Sequence, residues 1–166
     1  MFERFNNPQE LFNWKLGSAL TMERDIVEML DSLIEEARQD GLKQVLRTHQ
    51  SETRGHVSNI EEAFNALGWE VDDSPCPVIS AIDKEGKANI KKSEEPVVDQ
   101  VILGGAMETE HHEIAVYENL IINAGALGSE EVVQLLTRNL QEEQQALQKV
   151  RTLAEQAAAA GARQPV

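Results

Sequence analysis

Four stretches of this sequence have the three- and four-residue apolar spacing of an amphipathic helix, and each sets a glutamate in the row that should face a core. The first row runs Ala19, Glu23, Ile26, Leu30, Leu33, Ala37. The second runs Leu42, Val45, His49, Glu52, His56, Ile60, Ala63, Leu67, with three ionisable groups in succession. The third is Ile102, Ala106, Glu110, Glu113, Tyr117, Leu120, Ala124, and the fourth Val133, Leu136, Leu140, Glu143, Leu147, Val150, Ala154. Burying one unpaired carboxylate costs several kcal/mol or forces it to take up a proton, and a cluster costs more because like charges repel. Something must neutralise the middle of whatever these helices build.

Local signals set the boundaries. Asn7-Pro8 is a helix cap followed by proline at the first helical position, and Asp40-Gly41 is a stop, so a helix is predicted over 8–39. A second, over 42–67, closes at Gly68. Asp72-Asp73-Ser74-Pro75-Cys76-Pro77 is turn chemistry, and the charged stretch after it predicts a crossover with one short helix over 77–92. Two more helices are expected over 96–124 and 129–160, the last capped by Ser129-Glu130-Glu131. Short turns within each pair and a long connection between pairs describe one all-α domain over 1–166, a four-helix bundle with a long B–C crossover. Glu23 and Glu52 stand almost as far apart along the chain as Glu113 and Glu143, which fits a weak internal duplication.

Composition removes other classes. Aromatics at 4% suit helices better than a β-sandwich, and a net charge of −14 repels a nucleic-acid backbone. The single cysteine, Cys76, permits neither an internal disulfide nor a thiolate metal cluster, so packing is its expected role and any metal must be held by oxygen and imidazole. No apolar run is long enough to cross a bilayer, and a cytoplasmic protein with no membrane partner is expected.

A pair of metal ions turns the cost of the inward glutamates into a gain, because carboxylates and imidazoles then neutralise a large local positive charge. The candidate ligands are Glu23, His49, Glu52, His56, Glu110, Glu113 and Glu143. Mid-row placement nominates Glu52 and Glu113 as bridging groups, with Glu23 and Glu143 terminal. The alternatives are ordinary: a lone glutamate can carry its head out to water, and His56 can be a core histidine bonded to a carbonyl. Recurrence in four helices favours the metals. Glu142 and His111 are expected on solvated faces, and His112 in packing or behind a ligand. Leu103, Met107, Ile114 and Ile121, on another face of the third long helix, predict a homodimer.

The strings H-x-S-E-T-x-x-H-V-x-x-I-E-x-A-F, E-H-H-E-I-A-V-Y-E-N-L and L-x-E-E resemble the YciE/YciF-type ferritin-like stress proteins over residues 17–155. The sharpest piece is Glu110, His111, Glu113, Ile114, Ala115 and Tyr117. The resemblance implies a ferritin-like bundle, commonly dimeric, with two metal ions per chain, iron first and manganese or zinc as alternatives. It carries Glu23, His49, Glu52, Glu110, Glu113 and Glu143 over as matching positions. This chain departs from the pattern at His112, where an aromatic is common, and at Leu147, where an acidic residue is expected. The implied activity is oxidation of ferrous iron or scavenging of peroxide by a non-haem di-metal centre. The competing reading is a stress-related structural or interaction bundle without redox turnover.

Overall fold

The computed structural model describes residues 4–161, and among them every regular element is a helix: α1 Pro8–Glu36, α2 Asp40–Ala66, α3 Pro77–Ile90, α4 Glu95–Ala126 and α5 Glu130–Gly161. α1 pairs with α2 and α4 with α5. α2 also packs on α5, and α1 on α4, which closes a four-helix bundle with α3 laid across α4 and α1. An apolar core of Leu16, Leu20, Ile26, Leu46, Ile60, Leu120, Leu136 and Val150 lies above and below the glutamate layer.

The helix ends follow from their caps. Asn7 accepts from the Glu10 backbone N–H at 2.9 Å, and Pro8 opens α1. α2 and α4 end in the same way. Gly68 (φ 69°) and Gly128 (φ 74°) take the left-handed conformation, and the N–H groups of Trp69 and Ser129 return to Phe64 and Ala124.

α1 stops three residues before the expected end, and the reason lies far along the chain. The buried carboxylate of Asp99, on α4, accepts from the backbone N–H groups of Arg38 and Gln39 at 2.7 and 3.0 Å. Two charge-assisted bonds hold the chain extended between α1 and α2. At the other end, the connection leading to α3 crosses α1 at Gly17, where an added Cβ would meet the Asp72 carbonyl oxygen at 3.0 Å, so a larger residue would push the crossing stretch of chain outward by a few tenths of an ångström.

The apolar residues expected to need a partner are largely covered within the chain. Leu103 is 2% exposed, and Met107 and Ile121 pack against the core, because α4 touches α1, α3 and α5 and so buries more than one face. On α4 it is Ile122 that stands out, at 70% exposed.

Candidate metal centre

Halfway along the bundle α1 supplies Glu23, α2 His49 and His56, α4 Glu110 and Glu113, and α5 Glu143, all buried. The ligand atoms of these side chains gather into two groups. His49, Glu110, Glu113 and Glu143 bring one ligand atom each within 4.8 Å of one another, and so do Glu23, His56 and Glu143. Glu143 belongs to both. The shared position, expected at Glu52 and Glu113, therefore falls to Glu143 of α5.

Each histidine turns one nitrogen inward and one outward. His49 Nε2 lies 3.3 Å from Glu110 Oε1 and 3.7 Å from Glu143 Oε2, while its Nδ1 faces Glu52 Oε2 at 3.8 Å. His56 Nδ1 lies 2.7 Å from Glu143 Oε1 and 3.5 Å from Glu23 Oε2, while its Nε2 pairs with Glu142 Oε2 at 2.8 Å. Proximity is not hydrogen bonding here. His56 Nδ1, both nitrogens of His49, and both carboxylate oxygens of Glu113 and of Glu143 are buried with no hydrogen-bond partner, as are Glu23 Oε2 and Glu110 Oε2. Buried polar groups are normally satisfied. Oxygen and nitrogen atoms that converge without aligned hydrogen bonds between them form a set that a cation could fill, and the oxygen and imidazole donors suit iron, manganese or zinc.

The same crowding moves the acidities. Burial pushes the Glu110 carboxyl up to about 9, against the pull of His49 and with repulsion from Glu143 added to it. Burial and the neighbouring Glu143, Glu23 and Glu110 push Glu113 well above the ordinary carboxyl range, and burial likewise raises Glu143. Burial opposes charge on His56, but Glu143 and Glu23 together outweigh it and lift the imidazole to about 11. Without a cation, the centre holds its charge down with protons.

Around these side chains stands a second ring, of which the core-facing rows of the sequence contained only Tyr117. Tyr117 donates its hydroxyl to Glu23 Oε1. Asn139 Nδ2 donates to the Tyr117 oxygen at 3.0 Å and to the His56 carbonyl at 3.3 Å, and Asn59 donates to Asn139 Oδ1 at 2.6 Å. These bonds hold the carboxylate of Glu23 and the α2 backbone at His56, while the ring of His56 is held by Glu142. Asn139 lies one turn before Glu143, and tracing the α5 row through Asn139 and Ala146 instead of Leu140 and Leu147 would have found it. Glu142, expected on a solvated face, instead reaches back to His56. His111 is exposed and His112 half-buried, 3.8 Å from Cys76 Sγ.

Glu52 stands apart from both groups. Its side chain is 25% exposed, and Oε1 pairs with Lys149 Nζ at 3.4 Å. Thr53 takes the inward position in its place, fully buried, with its hydroxyl donated to the His49 carbonyl at 2.8 Å. His49, and then Lys149, hold the Glu52 carboxyl below its usual range against the cost of partial burial.

A family model described as a domain of unknown function, DUF892, matches residues 7–163. YcfI of Rhodopseudomonas palustris, described as a candidate structural protein, shares 31% identity over 92% of this chain and 98% of its own, with a TM-score of 0.88. The Escherichia coli stress protein YciF superposes with a TM-score of 0.89 at 23% identity, covering 93% of this chain and 99% of its own. A Xanthomonas campestris protein gives a TM-score of 0.75 at 21% identity over 93% and 95% of the two chains. No curated protein matches at a significant level.

Proposed function

The chain belongs to the DUF892 family, all-α bundles of the YciF kind, and from that premise we propose that it is a non-haem di-metal protein of the ferritin-like type. It holds two metal ions per chain, iron first, with Glu143 between them. His49, Glu110 and Glu113 complete one position, and Glu23 and His56 the other. One observation carries the reading: Glu143 is common to two buried ligand groups, and neither of its oxygens has a hydrogen-bond partner. Iron bound there supplies one-electron chemistry toward oxygen or peroxide, which is the form that oxidant handling under stress would take. What the chain itself contributes is ligation and exclusion of bulk water, with protons on Glu110 and Glu113 only while no ion is bound.

The test is metal content of protein isolated without chelator, followed by ferrous oxidation under air or peroxide. About two ions per chain and turnover are expected from the ligand count. A folded, metal-free chain would overturn the proposal in favour of a structural bundle, the reading that the description of YcfI supports. A homodimer and a cytoplasmic setting belong to the same proposal. Sedimentation as a clean monomer at micromolar concentration would remove the dimer. No helix of the described residues is long and apolar enough to cross a membrane.

A further inference from the structure

Each of the ligands in the two groups is at most 6% exposed where its side chain is seen in an ion pair, so a cation reaching them must pass something nearer the surface. Glu52 is placed for that. One of its oxygens is buried and unpartnered, facing His49 Nδ1 at 3.8 Å, while the other reaches the surface and pairs with Lys149 at 3.4 Å. His49 is 5% exposed, and its Nδ1 is likewise unpartnered and aimed at Glu52. Beside them is a cavity of about 20 Å³ whose walls are mostly apolar, Leu30, Val45 and Val150 among them, with His49, Glu52, Glu110 and Lys149 at its polar edge. That is room for about one water-sized body.

We propose that Glu52 and His49 Nδ1 form an outer, transient divalent-cation site, gated by Lys149, through which metal enters the centre. The inference rests on the di-metal reading and adds to it an entry route. Two donors 3.8 Å apart can both stand at about 2.1 Å from one ion, the usual first-row metal distance to nitrogen and oxygen. A neutral imidazole offers one lone pair at a time, so an ion on Nδ1 and an ion on Nε2 exclude each other, and the outer position must empty when the inner one fills. Lys149 competes for the same carboxylate. It keeps the pair neutral at rest and must swing out to admit a cation, which its 42% exposed side chain leaves it free to do. His56 offers no such route, because Glu142 already occupies its outward nitrogen at 2.8 Å.

The experiment follows cobalt(II) entering metal-free protein without oxygen, by stopped-flow absorbance, with ions bound at saturation counted by native mass spectrometry. Glu52→Gln should slow association about tenfold, and Lys149→Gln should speed it severalfold at low salt, the gain shrinking as ionic strength rises. Both variants should still bind as many ions at saturation as the unaltered chain. Exposed Glu118→Gln, which removes the same charge elsewhere, should load at the unaltered rate. Entry through Glu52 is overturned if Glu52→Gln loads at the unaltered rate, or if it loses an ion at saturation, which would make Glu52 a resident ligand. If the unaltered, folded chain takes up no cobalt, the di-metal reading falls and the entry route with it.

Discussion

The two histidines of the centre have the same surroundings in outline and opposite ones in detail. Both present one nitrogen to Glu143 and the other to a partly exposed glutamate. Around His56 the outer glutamate makes a 2.8 Å bond, Tyr117 ties down Glu23, and Asn139 anchors the backbone carbonyl. Around His49 the outer glutamate stays 3.8 Å away and is drawn off by Lys149, and small alanines leave a cavity. One half is clamped, with three residues to hold an ion. The other has four candidate ligands and a looser frame. Ligand number and rigidity are separate means of holding an ion, and in this bundle the candidate ligands divide them between its two sides.

The test with the largest effect removes what the halves share. Glu143→Ala should take metal content from about two ions to well under one, since neither half keeps its set. A residue of one tightly held ion would show that the halves do not depend on a common carboxylate.

Chelation read against pH comes next. In the metal-free chain Glu110 and Glu113 bind protons more tightly folded than unfolded, Glu110 with a folded value of about 9. The stability they contribute is full below the ordinary carboxyl value of 4.5 and drains away as pH rises toward 9. The stripped protein should therefore melt on the order of 10 °C lower at pH 9 than at pH 5, while the loaded protein, whose ion replaces those protons, should lose much less. Parallel melting curves for the two forms would remove the ligand role from Glu110 and Glu113.

A smaller effect sharpens the asymmetry. Glu142→Gln should weaken the His56-side ion about tenfold or more, because it replaces a charged partner of a ligating imidazole, and Glu52→Gln should leave equilibrium affinity nearly unchanged. Equal losses measured by competition with a chelator would erase the distinction between the clamped and loose halves. Smallest is Tyr117→Phe, which frees Glu23 Oε1 and should cost the same ion several-fold in affinity while the His49-side ion is untouched.

The helices, their order and the glutamate layer were all legible in periodicity, because apolar spacing and caps act within a turn or two. The register inside the layer was less so. In α2 the expected row passed through Val45 and Glu52, whereas the buried row passes through Leu46 and Thr53. A helix of 3.6 residues per turn lets neighbouring positions compete for the same face, and only packing against α5 decides between them. The duplication held the clue: the interval from Glu113 to Glu143, laid off from Glu23, ends on Thr53, not on Glu52. The bonds from Tyr117 to Glu23 and from Glu142 to His56 join residues on different helices, and no local pattern encodes such a meeting.

The carboxylate of Asp99 has a consequence for the way the chain acquires its shape. The link between the first two helices is fastened by a residue that leaves the ribosome some sixty positions later. Until α4 is in place, the N–H groups of Arg38 and Gln39 have no such acceptor, and the first hairpin lacks the contact that stops α1 and starts α2. The first hairpin is therefore not fully bonded on its own. The bundle's first corner is completed by its second half, so loss of α4 should loosen a turn in which α4 supplies no part of the chain.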